Sequence, residues 1–143
     1  MIEPFKVETL RISSSTDELN RVDTLTEDIA RSMGFDDSAR ADLGICVTEA
    51  VNNAIVHAHK GHAELPVDIR FERYADCLRV SVRDYGAGFE ISGLADPTRP
   101  ENLLKATGRG VHLIRALMDE VEVHVLDVGA EVVMTKRRRN SDL

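Results

Sequence analysis

The sequence predicts an α+β fold in which helices cover one face of a mixed, mostly antiparallel sheet. Three observations lead to this fold class. Segments that alternate between apolar and polar residues follow one another as hairpins, which disfavours a parallel, doubly wound sheet. Two stretches with helical apolar spacing lie between the first strand and the first hairpin. A glycine-rich turn then opens a third helix before the last two strands.

Length and charge set the domain organisation. The chain has 143 residues, enough for one domain with a hydrophobic core, and we expect a single domain over residues 1–135. The formal net charge is −7, although four cationic side chains fall together in the run Lys136–Arg139. Residues 136–143 are therefore expected to form a basic, disordered tail. The acidic remainder argues against direct nucleic-acid binding, which requires a clustered basic face.

The cysteines and the apolar segments indicate the compartment. Cys46 and Cys77 are too few for a disulfide framework and lack the spacing of a Cys-x-x-Cys metal site, so we expect free thiols. No apolar run reaches the roughly 18 residues that would span a bilayer, and the N-terminus lacks the pattern of a signal peptide. The expectation is a cytoplasmic protein that does not contact a membrane.

The first strand is predicted from Phe5 to Ile12, where alternation is imperfect. The helix that follows is predicted to begin near Ser15 and Glu18, which have the spacing of a capping box, and to end at Gly34. Its apolar positions recur at intervals of three and four residues: Leu19, Val22, Leu25, Ile29 and Met33.

The central helix is predicted over residues 42–59, with Asp37 or Ser38 as its N-cap. Most of its apolar residues form one broad arc that faces a core. Glu49 and Asn53 are four residues apart, so they lie on the same side of the helix, between that arc and a second apolar strip. This polar notch suits a cleft. The alternative is an ordinary solvated helix flank.

Three histidines near the end of this helix suggest a metal site, but their spacing disfavours one. His57 and His59 differ by about 200° around a helix, and His62 follows a glycine that ends the regular structure. No carboxylate or thiol stands at ligand spacing. We interpret His57, one turn beyond Asn53, as a neighbour of the polar notch.

A hairpin follows, with strands near residues 67–71 and 78–82 and one apolar face. Continuing the period of two beyond the second strand places Asp84 on that apolar face. A carboxylate directed into a core is costly unless its charge or its hydrogen bonds are compensated, so Asp84 is a candidate ligand-binding residue. The alternative is that Asp84 caps the turn that begins at Tyr85 and Gly86.

Glycines mark two further candidate binding segments. Gly86 and Gly88 would let the backbone approach a flat or charged ligand closely. Residues 90–107 show little periodicity and predict a long, mobile, lid-like connection. Gly108 and Gly110 lead into an amphipathic helix, and such a turn presents unpaired N–H groups and the positive end of the helix dipole to a phosphate. The alternative is a simple N-terminal turn.

The last two strands are predicted at residues 121–125 and 131–135, joined by a turn at Gly129. The complete order is therefore strand, two helices, two strands, lid, helix and two strands.

The order of the candidate segments carries a family resemblance. Glu49-Ala-Val-Asn-Asn53 lies on a helix, Asp84-Tyr-Gly-Ala-Gly88 follows a strand, a lid-like loop comes next, and Gly108-Arg-Gly110 opens a helix. This combination closely resembles the Bergerat-fold, or GHKL, ATPase superfamily shared by histidine kinases, gyrase B and MutL. Within it the chain is most similar to the anti-sigma-factor serine/threonine kinases of the RsbW and SpoIIAB kind, over roughly residues 5 to 135.

The resemblance implies ATP and Mg²⁺ as ligands and gives each segment a role. Asp84 would accept a hydrogen bond from the adenine amine, while Gly86 and Gly88 let the backbone close over the nucleotide. Asn53 would ligate Mg²⁺ through its side-chain oxygen. Glu49 would orient or deprotonate the attacking hydroxyl.

The same resemblance implies the phosphate-binding residues. Lys105 and Arg109 are the nearest candidates for neutralising charge at the γ-phosphate. The phosphates would be cradled at the helix N-terminus by Thr107, Gly108, Arg109, Gly110 and Val111.

The implied function is that of an ATP-binding anti-sigma factor, expected to be a homodimer. It would phosphorylate a STAS-type anti-sigma-factor antagonist and, by partner exchange, hold or free a sigma factor. One alternative is a non-catalytic, ATP-dependent module that sequesters a sigma factor or other regulator. Another is a stand-alone Bergerat ATPase attached to a different signalling system.

Overall fold

The computed structural model describes residues 3–60, 62–86 and 109–139. Within these ranges the elements follow the predicted order. They are β1 (Lys6–Ser13), α1 (Leu19–Ser32), α2 (Asp37–Asn53), β2 (Pro66–Arg73), β3 (Cys77–Arg83), α3 (Arg109–Leu117), β4 (Glu120–Val125) and β5 (Ala130–Arg137). A short 3₁₀ turn (Thr16–Glu18) precedes α1, and a π-helical segment (Ala54–Ala58) continues α2.

The five strands form one sheet in the order β1-β2-β3-β5-β4. All four pairings are antiparallel, which confirms the predicted α+β class. The sequence predicted a mixed, mostly antiparallel sheet, and the described strands form a fully antiparallel one. The register aligns one row of apolar residues across all five strands: Leu10, Ile69, Val82, Val132 and Val123. Because these residues share one face, the sheet has a continuous apolar surface on which the helices pack.

The hydrophobic core lies between this face and the helices. Helix α2 packs against both α1 and α3 and contacts β3 and β5. The apolar arc predicted for the central helix is confirmed except at Ala58, which is only half-buried. Its other members are buried, in α2 and the π-helical segment: Leu43, Cys46, Val47, Ala50, Val51, Ala54 and Ile55. No helix in the described ranges is long and apolar enough to cross a membrane.

The predicted N-cap of the central helix is wrong by one residue or more. Asp36, in an extended conformation, caps α2 by accepting a hydrogen bond from the N–H of Ala39 at 2.8 Å. Asp37 and Ser38 are therefore in the first helical turn. The three consecutive residues are all good caps, and pattern alone does not choose among them.

The predicted capping box before α1 does not form. The Ser15 hydroxyl accepts from the N–H of Asp17 at 3.3 Å, whereas the N–H of Glu18 donates to the carbonyl of Ser15 at 3.1 Å. The carboxylate of Glu18 instead lies 3.7 Å from Arg21. The Ser15 N–H that Glu18 would have accepted is already donated to the carbonyl of Ser13 at 2.8 Å. The stop at Gly34 is confirmed by its positive φ of 83°.

The predicted boundary of the disordered tail is also wrong. Strand β5 runs through Arg137, and Lys136 is only 8% exposed. Its ammonium group donates to the carboxylate of Asp42 at 3.2 Å and to the carbonyl of Leu117 at 2.7 Å. Arg138 donates to two backbone carbonyls of other segments. The first residues of the basic run thus belong to the fold, because their charges have fixed partners.

Candidate functional site

The π-helical segment after α2 brings the turn after β3 into contact with the central helix. A Cβ atom placed on Gly86 would lie 2.2 Å from the carbonyl oxygen of Ala58, far inside any allowed contact. Glycine is therefore required at this position for the turn to approach the helix. Gly86 thus permits a close approach to the helix itself, and the predicted approach of its backbone to a ligand stays a prediction.

Asp84 begins this turn and is fixed by strand β5. Its N–H donates to the carbonyl of Ala130 at 2.9 Å. Its Oδ1 atom accepts from the N–H groups of Gly86 at 3.1 Å and Ala130 at 3.2 Å. Both hydrogen bonds that the described residues donate to this carboxylate end on Oδ1, so Oδ2 is the oxygen available to a ligand.

The surroundings of Asp84 disfavour its charged form. Burial raises the pKa of Asp84 above its usual range, and the hydrogen bonds from Gly86 and Ala130 act in the opposite direction. The carboxylate therefore caps the turn, as one of the two interpretations of the sequence proposed. Its surroundings nevertheless destabilise its charged form. The ligand-binding role remains a prediction.

Gly129 supports Asp84 from the β4–β5 connection. It has a φ of +78°, and a Cβ atom there would lie 2.1 Å from the carbonyl oxygen of Asp84. The sequence predicted Gly129 only as a turn residue. Its contact with Asp84, 45 positions earlier, leaves no pattern in the neighbouring sequence from which it could be predicted.

Asn53 and Glu49 lie one turn apart on α2, as predicted. Asn53 is only 8% exposed, so for this residue the alternative of a solvated helix flank is wrong. Glu49 is partly buried. Neither side chain has a hydrogen-bond or ion-pair partner among the described residues. Two exposed apolar residues, Ile45 and Val56, flank the pair. The amide of Asn53 is not among the fully buried side-chain atoms that lack a partner, so it reaches the surface of the helix, where a metal ion or a phosphate oxygen could bind it.

Helix α3 packs against α2, and its last turn lies near the first half of α2. The two helices pack together, and Lys136 joins Asp42, in the first half of α2, to Leu117, at the end of α3. The nine residues of α3 span about 13 Å, and the segment from Asp42 to Asn53 spans about 16 Å. A helix of this length that runs from Asp42 towards the C-terminal end of α2 would begin level with the second half of α2.

The predicted phosphate-binding residues are described only in part. Arg109, Gly110 and Val111 form the first turn of α3, as the glycine-to-helix pattern predicted. Gly88, Lys105, Thr107 and Gly108, together with the lid-like segment 90–107, lie outside the described residues. Among the residues that are described, no group of three or more His, Cys, Asp and Glu side chains could hold a metal ion.

The structure replaces His57 by His59 as the histidine near the site. His57 is exposed, whereas His59 is 1% exposed. The prediction assumed that the α-helical period continued, but residues 54–58 adopt the wider π-helical winding, in which the His59 N–H reaches the carbonyl of Ala54 at 2.9 Å. This winding rotates the following side chains and turns His59 inward.

His59 links three segments of the chain. Its Nε2 accepts from the N–H of Tyr85 at 2.9 Å, and its Nδ1 is hydrogen-bonded to the hydroxyl of Ser14. The Ser14 hydroxyl also donates to the carbonyl of Leu65 at 2.6 Å. Burial lowers the pKa of His59, so the ring is neutral at pH 7.

Comparisons with known proteins place these residues in a recognised context. A sequence profile described as histidine kinase-like ATPase domain matches residues 12–136. The chain is 36% identical over 114 residues to the serine-protein kinase RsbW of Listeria monocytogenes, covering 76% of this chain and 72% of that protein. It is 40% identical over 115 residues to RsbW of Bacillus licheniformis, covering 76% and 71%.

A solved structure supports the fold independently. The chain is similar to the crystal structure of the RsbU and RsbW domains of a Mycobacterium tuberculosis protein, with a TM-score of 0.65 and 18% identity. The match covers 94% of this chain and 33% of the mycobacterial chain, so this chain spans about a third of that protein. At this identity the likeness shows the shared fold.

Proposed function

The chain belongs to the histidine kinase-like ATPase domain family and, within it, to the RsbW family of serine-protein kinases, and from this we propose its substrate and its partners. We propose that it transfers the γ-phosphoryl group of ATP to a serine or threonine of a STAS-type anti-sigma-factor antagonist. In the same proposal it is a cytoplasmic homodimer that holds a sigma factor and frees it by partner exchange. It binds neither nucleic acid nor membrane directly.

The observation that supports this function most strongly is the pair formed by Asn53 and Glu49. Asn53 is only 8% exposed but its amide is not among the fully buried unpartnered atoms, so it reaches the surface, and the carboxylate of Glu49 lies one turn away. In the proposal both side chains face the start of α3, where a helix offers backbone N–H groups without intrahelical partners. A triphosphate at that helix start would lie beside the amide and the carboxylate together.

The residues present suit Mg²⁺ bound together with ATP. An amide oxygen is a ligand that Mg²⁺ accepts, and this ion commonly takes one or two protein ligands with phosphates and water. Asn53 would hold it. When bound, Mg²⁺ supplies positive charge that balances the phosphates.

The turn at Asp84 would bind the adenine base. Its Oδ2 would accept a hydrogen bond from the exocyclic amine of adenine. Guanine carries a carbonyl oxygen at the equivalent position, so two acceptors would face each other and GTP would bind more weakly. Gly86 lets the backbone approach, and Gly88 is expected to do the same.

Glu49 would act in the transfer step. The hydroxyl oxygen of the substrate forms a bond to the γ-phosphorus while the bond from phosphorus to the bridging oxygen of ADP breaks. The Glu49 carboxylate accepts the proton that leaves the hydroxyl group. Lys105, Arg109 and the remaining phosphate-binding residues complete the proposal as predictions from the family resemblance.

The test is a Glu49→Gln variant assayed for both binding and transfer. We expect ATP affinity close to that of the wild type, and transfer of radioactive phosphate to a STAS-domain antagonist from the same genome at least about 100-fold slower. Glu122→Gln, on an exposed side chain of β4, is the matched control and should transfer normally. Unchanged transfer by Glu49→Gln would exclude this carboxylate as the base. Binding of ATP by the wild type without any transfer would favour the non-catalytic binding module, and no binding would overturn the proposal.

A further inference from the structure

We infer that His59 is a positioning residue for ATP binding: in its neutral form it holds the turn that carries Asp84, and ATP affinity falls when His59 gains a proton. This inference rests on the proposed adenine-binding role of that turn. The family resemblance assigns no role to His59, because it gives the binding and catalytic roles to other residues.

The hydrogen bonds around His59 allow one protonation state. The N–H of Tyr85 can only donate, so the Nε2 atom that it meets at 2.9 Å must be an unprotonated acceptor. The single ring proton is then on Nδ1 and is donated to the hydroxyl oxygen of Ser14. The hydroxyl proton of Ser14 goes to the carbonyl of Leu65 at 2.6 Å. Each donor in this series of three hydrogen bonds has one acceptor, so the neutral Nδ1–H tautomer of His59 satisfies all of them.

A second proton on the ring would disrupt this arrangement at the turn. Nε2–H would face the Tyr85 N–H, and two donors would then oppose each other with the ring 1% exposed. The turn is unable to relax toward the helix, because Gly86 already lies against the carbonyl of Ala58. It must move away, and Asp84, the residue before Tyr85, moves with it. The carboxylate would then leave the position from which it meets the adenine amine.

The groups around His59 keep it neutral at physiological pH. Burial lowers its pKa most, His62 lowers it further, and Glu64 acts in the opposite direction. From the other packed segments, Ser14 is uncharged, and the turn contributes the Asp84 carboxylate one residue before the donating N–H. The ordinary pKa of histidine is about 6.5, so the loss of affinity begins below that pH.

The experiment measures the dissociation constant of MgATP by calorimetry between pH 5.5 and pH 8 for the wild type and three variants. His59→Gln keeps an acceptor for the Tyr85 N–H but gains no proton in this range. His59→Leu removes the acceptor. His124→Gln replaces an exposed histidine on β4 and is the matched control. Protonation of ATP and of Asp84 affects all four proteins alike, so the ratio of two dissociation constants at each pH isolates His59.

We expect His59→Gln to bind within about threefold of the wild type at pH 8. Below the pKa of His59, wild-type affinity should fall relative to His59→Gln by up to tenfold per pH unit, the limit for one proton. His59→Leu should bind about tenfold more weakly at every pH because a buried N–H loses its partner. His124→Gln should follow the wild type throughout.

Two results would overturn the inference. One is a constant ratio of wild-type to His59→Gln dissociation constants across the whole pH range. The other is wild-type affinity in His59→Leu at pH 8. Thermal unfolding shows whether each variant is folded. If His59→Leu is not folded, the comparison of the wild type with His59→Gln decides whether the inference holds. Absence of ATP binding by the wild type at pH 8 is a different result, because it removes the proposed function and the inference together.

Discussion

Replacing Asp84 with Asn should separate ATP binding from the stability of the fold. The Oδ1 atom of Asp84 accepts from the N–H groups of Gly86 and Ala130, and an asparagine oxygen can keep both hydrogen bonds. The amide nitrogen would then take the place of Oδ2 and point donors at the donating amine of adenine. A hydrogen bond to a charged acceptor contributes about 1.5–3 kcal/mol. Its loss corresponds to a dissociation constant for ATP about 10- to 150-fold higher.

The stability of the Asp84→Asn variant should change in the opposite direction. Burial raises the pKa of Asp84, so the folded protein binds the proton more tightly than the unfolded chain does. Stability therefore falls as the pH rises from the unfolded pKa through the folded pKa, and at pH 7 the whole cost of the buried charge is present. A neutral amide removes that cost. We expect a free energy of unfolding at pH 7 equal to or above that of the wild type.

Calorimetric titration with ATP and urea unfolding at pH 7 measure the two quantities. Asp127→Asn, at an exposed position in the β4–β5 connection, is the matched control and should change neither. Undiminished affinity would remove Asp84 from the binding site. Lower stability together with lower affinity would mean that the carboxylate serves mainly to cap the turn, and that its buried charge does not destabilise the folded protein.

The remaining predictions concern stability. Lys136→Met should lower the free energy of unfolding by about 1–3 kcal/mol, since it leaves Asp42 and a helix carbonyl without their donor. Arg137→Met, at a neighbouring side chain that is 66% exposed, should stay within about 0.5 kcal/mol of the wild type, and equal effects of the two changes in urea unfolding would refute the distinction. Because the pKa of His59 is lowered, the unfolded chain takes the proton first, so wild-type stability should fall as the pH drops below about 6.5. His59→Gln should flatten that slope in urea unfolding between pH 5 and pH 8, and an unchanged slope would contradict the reasoning.

The order of elements could be predicted from the sequence because each element has its own periodicity. The alternation around Ile69 and Val82 predicts both strands and their apolar face, and the register confirms that the two residues pair. The same period of two led to Asp84. Local rules also singled out Gly86 for a close approach to a ligand, and the structure shows this glycine against the carbonyl of Ala58. These signals come from neighbouring residues and need no knowledge of the tertiary structure.

The predictions that failed depend on partners distant in the sequence or on a change of helical winding. Lys136 was assigned to a disordered tail because its partner Asp42 lies 94 positions away. His59 was considered only as a metal ligand, since the π-helical turn that directs it inward has no marker in the sequence. Its partners Ser14 and Tyr85 are 45 and 26 positions away. A hydrogen bond between residues so far apart in the sequence leaves no local pattern from which it could be predicted.

The turn that carries Asp84 is held from both faces of the sheet, and this explains how a destabilised carboxylate can be kept in place. On the helix side, His59 accepts the N–H of Tyr85. On the opposite side, the Tyr85 hydroxyl donates to Asp68, and the guanidinium of Arg83 lies 4.5 Å from the centre of the tyrosine ring. Successive side chains of a strand point to opposite faces, so Tyr85 anchors the turn without occupying the space beside Asp84. Because these contacts form when the protein folds, the residues from Asp84 to Gly86 would need no further ordering on nucleotide binding, and the proposed hydrogen bond from adenine would contribute to affinity without an entropic cost at this position.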